Sequence, residues 1–498
     1  MQCPNCHTDV PANARFCGVC GQTLNAAGTH ISAKGKVQPK RPRSRLRPLW
    51  LLLLAGVICT GSLAVIYFFA LPNLNLTIGN PPERVVLAIA EENSFGDPET
   101  IASLRPDGTE YQELMYDRNG LGLPTDTKNT LSPDGHWLMV YEQNQEGQSL
   151  LLVNSADGSV ILSDDEVVLS TNLQLYGFSP DSSLFAYTHI NEESHEIALV
   201  VVDDVGNELL VVPDVVYGTF FPDSQRLVVI QTDEEGLFTS LAWLSLADGT
   251  VNSLVSLADS AGWVRPQVAP DSRGVYYYAD DQLMYITLDG NNSESIHEFE
   301  SWVSALQMFP GLNYLALYDQ YAGERAGDLA FINLENQQTT RIDRDVYWSV
   351  TTLQETQITM TGEGDKVAYR TIEDGVLSLY VADSTGRNKY RISDDNAWLR
   401  FAFTPSGEEI VFVESRELFL GGDLYVANTE GGERTRLATD VWSFCLAERG
   451  RILIYSVVED VKRGSPESTL YRIRLNGEDE EEILSTVDGV ITLFCPSN

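Results

Sequence analysis

The chain has 498 residues, with 33 Lys and Arg against 71 Asp and Glu, a formal net charge of −38. Eight of the bases and one of the acids fall in residues 1–48, so residues 49–498 carry 25 bases and 70 acids, a net of −45. A surface this acidic repels a phosphate backbone, which argues against nucleic-acid binding by the bulk of the chain.

Residues 1–25 contain Cys3-Pro4-Asn5-Cys6 and Cys17-Gly18-Val19-Cys20. Each Cys-x-x-Cys pair can wrap one edge of a metal ion, and two edges complete a tetrahedral thiolate site that suits structural Zn2+. A segment this short cannot build a hydrophobic core, so metal binding has to supply its folding energy. Thiolate ligation also requires a reducing compartment. Two other readings stand beside it. Cys3-x-x-Cys6-His7 spells the attachment motif of c-type haem, which leaves Cys17 and Cys20 without a role. A pair of disulfides needs an oxidising compartment. His7 is a spare ligand if a cysteine is not used. The segment, with Arg15-Phe16-Cys17-Gly18 and Cys20-Gly21, resembles the small zinc ribbons at the N-termini of many bacterial membrane proteins.

Residues 26–48 are a basic linker with prolines at 39, 42 and 48, which hold it extended. Residues 49–71, from Leu49-Trp50-Leu51 to Ala70-Leu71, contain no charge. As a helix they would span about 34 Å at about 1.5 Å per residue, enough for a bilayer core. Trp50 and Tyr67 suit the two interfaces. Seven Lys and Arg precede the helix between residues 34 and 47, while Glu83 is the first charge after it. The positive-inside rule therefore predicts a single-pass protein of the cell membrane, with a cytoplasmic N-terminus and everything beyond residue 71 extracytoplasmic. The basic linker also suits anionic headgroups. Residues 72–82 are a second linker.

From residue 83 to 498 the sequence repeats. One phrase is a turn of the Ser-Pro-Asp-Gly kind followed by an apolar strand: Leu131-Ser132-Pro133-Asp134-Gly135, Phe178-Ser179-Pro180-Asp181, Phe221-Pro222-Asp223-Ser224, Ala269-Pro270-Asp271-Ser272, Phe403-Thr404-Pro405-Ser406-Gly407. Such turns make tight hairpins. A second phrase, an apolar strand ending in a turn, alternates with it: Leu151–Gly158, Leu241–Gly249, Leu379–Gly386, Leu424–Gly431. Together they predict four short strands per 40–50 residues or so, the blade period of a β-propeller. The expected fold is all-β, a large propeller of about 8–9 four-stranded blades. An inserted unit or two rings would account for the same repeats. These residues resemble the TolB-type, WD-like propeller repeats of bacterial envelope proteins, and the resemblance covers about residues 83–498.

Some relatives of this type carry a serine hydrolase domain after the propeller. This sequence contains no Gly-x-Ser-x-Gly elbow, no phosphate-binding Gly-rich loop and no His-Glu-x-x-His motif. His189 and His195 lie near each other without a recognised ligand spacing, and Glu478–Glu482 reads as a solvated acidic loop. Trp263, Trp302, Trp398 and Trp442 each stand near the start of an innermost strand, with Asp259, Glu300, Asp395 and Asp440 just before them. At one mouth of a propeller such a set can bind sugars, peptides or cations. Packing between blades is the other reading, and the commoner one for large aromatics.

The reading that follows is a non-catalytic, membrane-anchored envelope protein. Its external propeller binds protein or glycan partners, and its cytoplasmic ribbon contacts partners inside. The alternative is an extracytoplasmic enzyme with a sugar- or peptide-processing site in the propeller mouth. Ring closure is expected from both ends of the domain. Leu493-Phe494-Cys495-Pro496-Ser497-Asn498 copies a strand-and-turn phrase with no strand after it, and residues 84–90, which lack the turn before them, are the expected partner of a final strand over about 489–495. Pairing the two would bring Cys495 beside Cys445 in neighbouring innermost strands. A disulfide can form there outside the cell if the Cα atoms fall within about 7 Å.

Overall fold

The structure is a computed structural model. It describes residues 83–495, except for short segments between strands, among them 165–175, 258–265, 299–304, 348–357 and 394–399. The ribbon, the basic linker, the 49–71 helix and the 72–82 linker lie outside the described residues. Among those described, no helix is long and apolar enough to cross a membrane. The chain divides into Met1–Asn80 and Pro81–Asn498.

The second of these is all-β, as the repeats imply, and every strand pairing in it is antiparallel. Consecutive strands group into four-stranded units, labelled here by residue span: B (121–164), C (176–213), D (215–256), E (267–298), F (305–347), G (358–391), H (401–438) and I (441–488). Units F and G are joined by one bridge, Val346 to Thr371. The long strand Arg434–Ala447 serves H with its first half and I with its second.

Unit A is assembled from both ends of the domain. Its first strand is Val490–Phe494, which pairs with Val85–Ala90 in the register Val86 to Phe494, Ala88 to Thr492 and Ala90 to Val490. Thr100–Leu104 and Gln112–Tyr116 follow outward. The expected closure is therefore present in the strand order. It removes the two open edges that the terminal strands would otherwise expose.

Burial explains the sequence of each unit. Second strands such as Val85–Ala90 are buried at every position. Fourth strands such as Ser293–Glu298 are mostly exposed and polar. A strand packed on both faces reads as an unbroken apolar run. Alternation then assigns its residues to different neighbours. Val85, Leu87 and Ile89 pack against unit I, while Val86 and Ala88 pack against unit B. A buried cluster of this kind lies between each unit and the next, and between I and A.

The turns tie the seams. Ser132 Oγ donates to Asp134 Oδ1 at 2.6 Å and accepts from Trp137 N at 2.9 Å. Ser179 does the same with Asp181 and Leu184. The backbone of each aspartate then reaches the following unit, Asp134 N donating to Ser182 Oγ at 3.1 Å and Asp181 N to Ser224 Oγ at 3.2 Å. A second tie comes from the turn between third and fourth strands, whose glycine has positive φ and lies against the fourth strand of the preceding unit. Gly158 rests on Leu114, Gly206 on Ile161 and Gly386 on Ile342, and Gly108 of unit A rests on Ile483 of unit I.

Candidate functional site

Of the tryptophans singled out from the sequence, Trp442 lies in the first strand of unit I. Trp442 is 4% exposed and packs with Val458 and Val490. Its Nε1 donates to Thr492 Oγ1 at 3.3 Å. It is thus a packing residue at the seam between I and A, with exposed Asp440 before it in the left-handed region at φ 56°. Trp263, Trp302 and Trp398, with Asp259, Glu300 and Asp395, lie outside the described residues.

The charge that the described residues bring to this region is cationic. Arg400 immediately precedes the first strand of unit H, Phe401–Phe403. Its Nη1 donates to the Leu493 carbonyl of unit A at 2.6 Å. Its guanidinium carbon stands 5.7 Å from the Phe494 ring centroid. Part of the side chain keeps some exposure, but Nη2 is enclosed and has no hydrogen-bond partner among the described residues. Burial pushes the guanidinium pKa down to about 10. Arg370, in the second strand of unit G, is fully buried, 5.3 Å from the Tyr347 centroid and 5.9 Å from that of Phe401. Cations and rings therefore alternate: Tyr347, Arg370, Phe401, Arg400, Phe494. Guanidinium on an aromatic face is favourable.

Sequence reasoning passed over both arginines. The signal is present in hindsight. Arg370 interrupts the run Val367-Ala368-Tyr369 in a strand with five successive buried residues, and Arg400 abuts Phe401 at the entry to a first strand. Neither position belongs to a motif.

Cys445 and Cys495 lie in neighbouring positions at the I–A seam, with Cα atoms 6.0 Å apart and sulfurs 2.08 Å apart, a bonded pair. Leu493 N donates to Ser443 Oγ at 3.1 Å, and Ser456 Oγ donates to the Ile491 carbonyl at 2.8 Å. His189 sits at another seam, its Nδ1 3.0 Å from Asp164 Oδ2 across units C and B. His195 lies outside the described residues. The acidic stretch Glu478–Glu482 is exposed, and Arg474 Nε stands 2.9 Å from Asp479 Oδ2. Cys3, Cys6, Cys17 and Cys20 are outside the described residues. Within those described, no group of three or more His, Cys, Asp or Glu is placed to hold a metal ion.

Residues 2–24 match the family model described as a zinc-ribbon domain. No curated protein matches the chain. Among solved structures, dipeptidyl peptidase 4 of Porphyromonas gingivalis is similar at 15% identity and a TM-score of 0.49, over 72% of this chain and 59% of that one. The chain thus spans about three fifths of that peptidase. Oligogalacturonate lyase of Vibrio parahaemolyticus aligns at 14% identity and a TM-score of 0.40, over 69% of this chain and 97% of that one. A TolB-like protein of Agrobacterium tumefaciens aligns at 15% identity and a TM-score of 0.33, over 61% and 98%.

Proposed function

We propose that this chain is a single-pass membrane protein whose units A to I are nine blades of one closed propeller, a binding module outside the membrane. Its ligand is a protein or glycan carrying a carboxylate. The cytoplasmic ribbon holds one structural Zn2+ through Cys3, Cys6, Cys17 and Cys20 and meets partners there. The observation that carries the binding reading is Arg400 Nη2, an enclosed donor with no partner among the described residues of a domain rich in acids. An uncompensated buried cation costs stability, so a site that keeps one is organised for an anion from elsewhere. An incoming carboxylate would take a charge-assisted hydrogen bond there.

The membrane reading rests on the asymmetry of charge around residues 49–71. The two cysteine sets agree with it: thiolates for metal on the reducing side, the Cys445–Cys495 pair on the oxidising side.

The test is capture by the purified full chain in detergent on an array of uronic-acid glycans and acidic peptides, compared with Arg400→Met. A carboxylate-bearing ligand should lose about tenfold in affinity with the variant, the scale of one charged hydrogen bond. Unchanged affinity would remove Arg400 from the site. Turnover of any bound ligand would favour the enzyme reading instead. Protease applied outside cells stripped of any outer barrier should cut within residues 83–498 and spare residues 1–48.

A further inference from the structure

The glycine tie between neighbouring units fails around unit E. Gly290, in the turn of unit E, has φ +70° and meets nothing within 4 Å. In unit F the corresponding left-handed position is held by Gln337 at φ 56°. A glycine allows that turn to press on the neighbouring backbone, as Gly108, Gly158, Gly206 and Gly386 do. Gln337 instead reaches over and donates from Nε2 to Glu294 Oε1 of unit E at 3.2 Å. Between the two units lies a cavity of about 360 Å³, within the usual range for small-ligand pockets.

Its lining is acidic and aromatic. Tyr276 and Tyr285 stand together, ring centroids 4.9 Å apart, with Ile296 and Leu334 on the apolar side. Asp271, Glu294 and Glu335 contribute carboxylates. Asp271 has an ion pair with Arg273 at 3.8 Å, and Arg273 is itself largely exposed. Glu294 and Glu335 are engaged by amides alone, the latter accepting from Asn313 Nδ2 at 2.8 Å. An amide occupies one lone-pair site and leaves the charge uncompensated. Tyr276 is only 7% exposed, and its hydroxyl makes no hydrogen bond among the described residues. Burial first, then Tyr285 and the carboxylates of Asp271 and Glu294, push its phenol pKa up, so the hydroxyl keeps its proton.

We propose that the cleft between units E and F binds an aliphatic ammonium group. The charged head sits between the Glu294 and Glu335 carboxylates, with the Tyr276 hydroxyl accepting a hydrogen bond from it. The methylene stem lies along the tyrosine rings, which offer an apolar wall and a cation-attracting face. The ammonium belongs either to a free amine or to a lysine side chain of a peptide.

The test uses saturation-transfer NMR on the full chain in detergent micelles, with n-butylammonium against neutral n-butanol as probes. A capped Gly-Lys-Gly peptide forms a third arm. Butylammonium should bind saturably, and at least tenfold more tightly than butanol. Glu294→Gln with Glu335→Gln, both at exposed positions, should weaken it about tenfold, and Tyr276→Phe, which keeps the ring, about threefold. Glu481→Gln with Glu482→Gln, on the fourth strand of unit I, should change nothing. Tighter binding of the peptide than of butylammonium identifies a lysine side chain as the natural occupant, and weaker binding a free amine. Equal binding of butylammonium and butanol, or an equal loss in the unit I variant, would overturn the proposal by reducing it to general attraction to an acidic surface.

Discussion

The seam between units I and A and the seam between units E and F are built from one repeat, yet they differ in how they are held. At the first, strands from the two ends of the domain meet in a shared sheet, Gly108 packs on Ile483, and Glu448 N donates to Glu83 Oε2 at 2.9 Å. Cys445 and Cys495 add a covalent tie. At the second, the glycine is absent and side chains span the gap, Gln337 to Glu294 and Thr339 Oγ1 to His297 Nδ1 at 3.1 Å. The seam that must bring together the two ends of the domain is the more densely bonded. Only Val490–Phe494 of unit A is continuous with unit I, and its other three strands come from the far end of the domain, whereas units E and F follow each other in one run of chain.

The sharpest break of this comparison is removal of residues 490–498. Val490, Ile491, Leu493 and Phe494 are at most 4% exposed. At roughly 1.5–3 kcal/mol for each buried side chain the strand contributes on the order of 6–12 kcal/mol, which matches the whole stability of a typical domain at about 5–15 kcal/mol. Calorimetry should show no cooperative transition for the truncated chain. A melting curve like that of the parent would mean the ring is held elsewhere.

Two glycine substitutions separate a turn pressed on its neighbour, Gly108, from one that is not, Gly290. Alanine at Gly108 places its Cβ 2.7 Å from Ile483 Cβ at φ +80°, and backbone strain plus overpacking should cost about 3–4 kcal/mol. Alanine at Gly290 suffers the left-handed backbone alone, since nothing stands within 4 Å, and should cost about 1–2 kcal/mol. Urea midpoints with unchanged slopes would read the difference. Equal losses would show that the contact of Gly108 with Ile483 adds nothing to the closing seam.

Cys495→Ser should destabilise the closing seam by about 3 kcal/mol, because the bridge closes a long loop in the unfolded chain. Reductant should lower the melting temperature of the parent and leave the variant unaffected. Two thiols titrated in the unreduced parent would dismiss the bridge.

The smallest effect belongs to His297 at the E–F seam. Burial holds its pKa below the ordinary histidine value. The unfolded chain then takes up the proton first, so stability contributed there is complete above the unfolded pKa of about 6.5 and declines as pH falls below it. The drop in melting temperature from pH 7 to pH 5 should be slightly smaller for His297→Gln than for the parent. Identical drops would leave the histidine without influence on the seam.

Much of the fold was legible in residues. Ser132-Pro133-Asp134 and Ser179-Pro180-Asp181 announce a hairpin because the serine hydroxyl and the aspartate carboxylate close the turn locally, within five residues. Val85-Val86-Leu87 announces a strand buried on both faces. Closure was legible for a related reason: a turn phrase without its strand at one end and a strand without its turn at the other specify each other. The candidate sites were less so. Trp442 looked like part of a ligand-facing ring and is a packing residue, since side-chain direction depends on which neighbour fills the other face. Arg370 and Arg400 carry no motif. Their significance comes from what surrounds them, and those neighbours lie in units F, G, H and A.

The sequence alone determined the four-cysteine ribbon segment, the uncharged stretch at 49–71, the acidity of the remainder and the four-strand repeat, because each is a property of spacing or composition along the chain. Tertiary structure decided that Arg400 reached the Leu493 carbonyl and the Phe494 ring, that Cys445 met Cys495, and that one seam opened into a cavity. These depend on residues tens to hundreds of positions apart being packed into contact, and on whether a Cβ at a turn has backbone or empty space beside it.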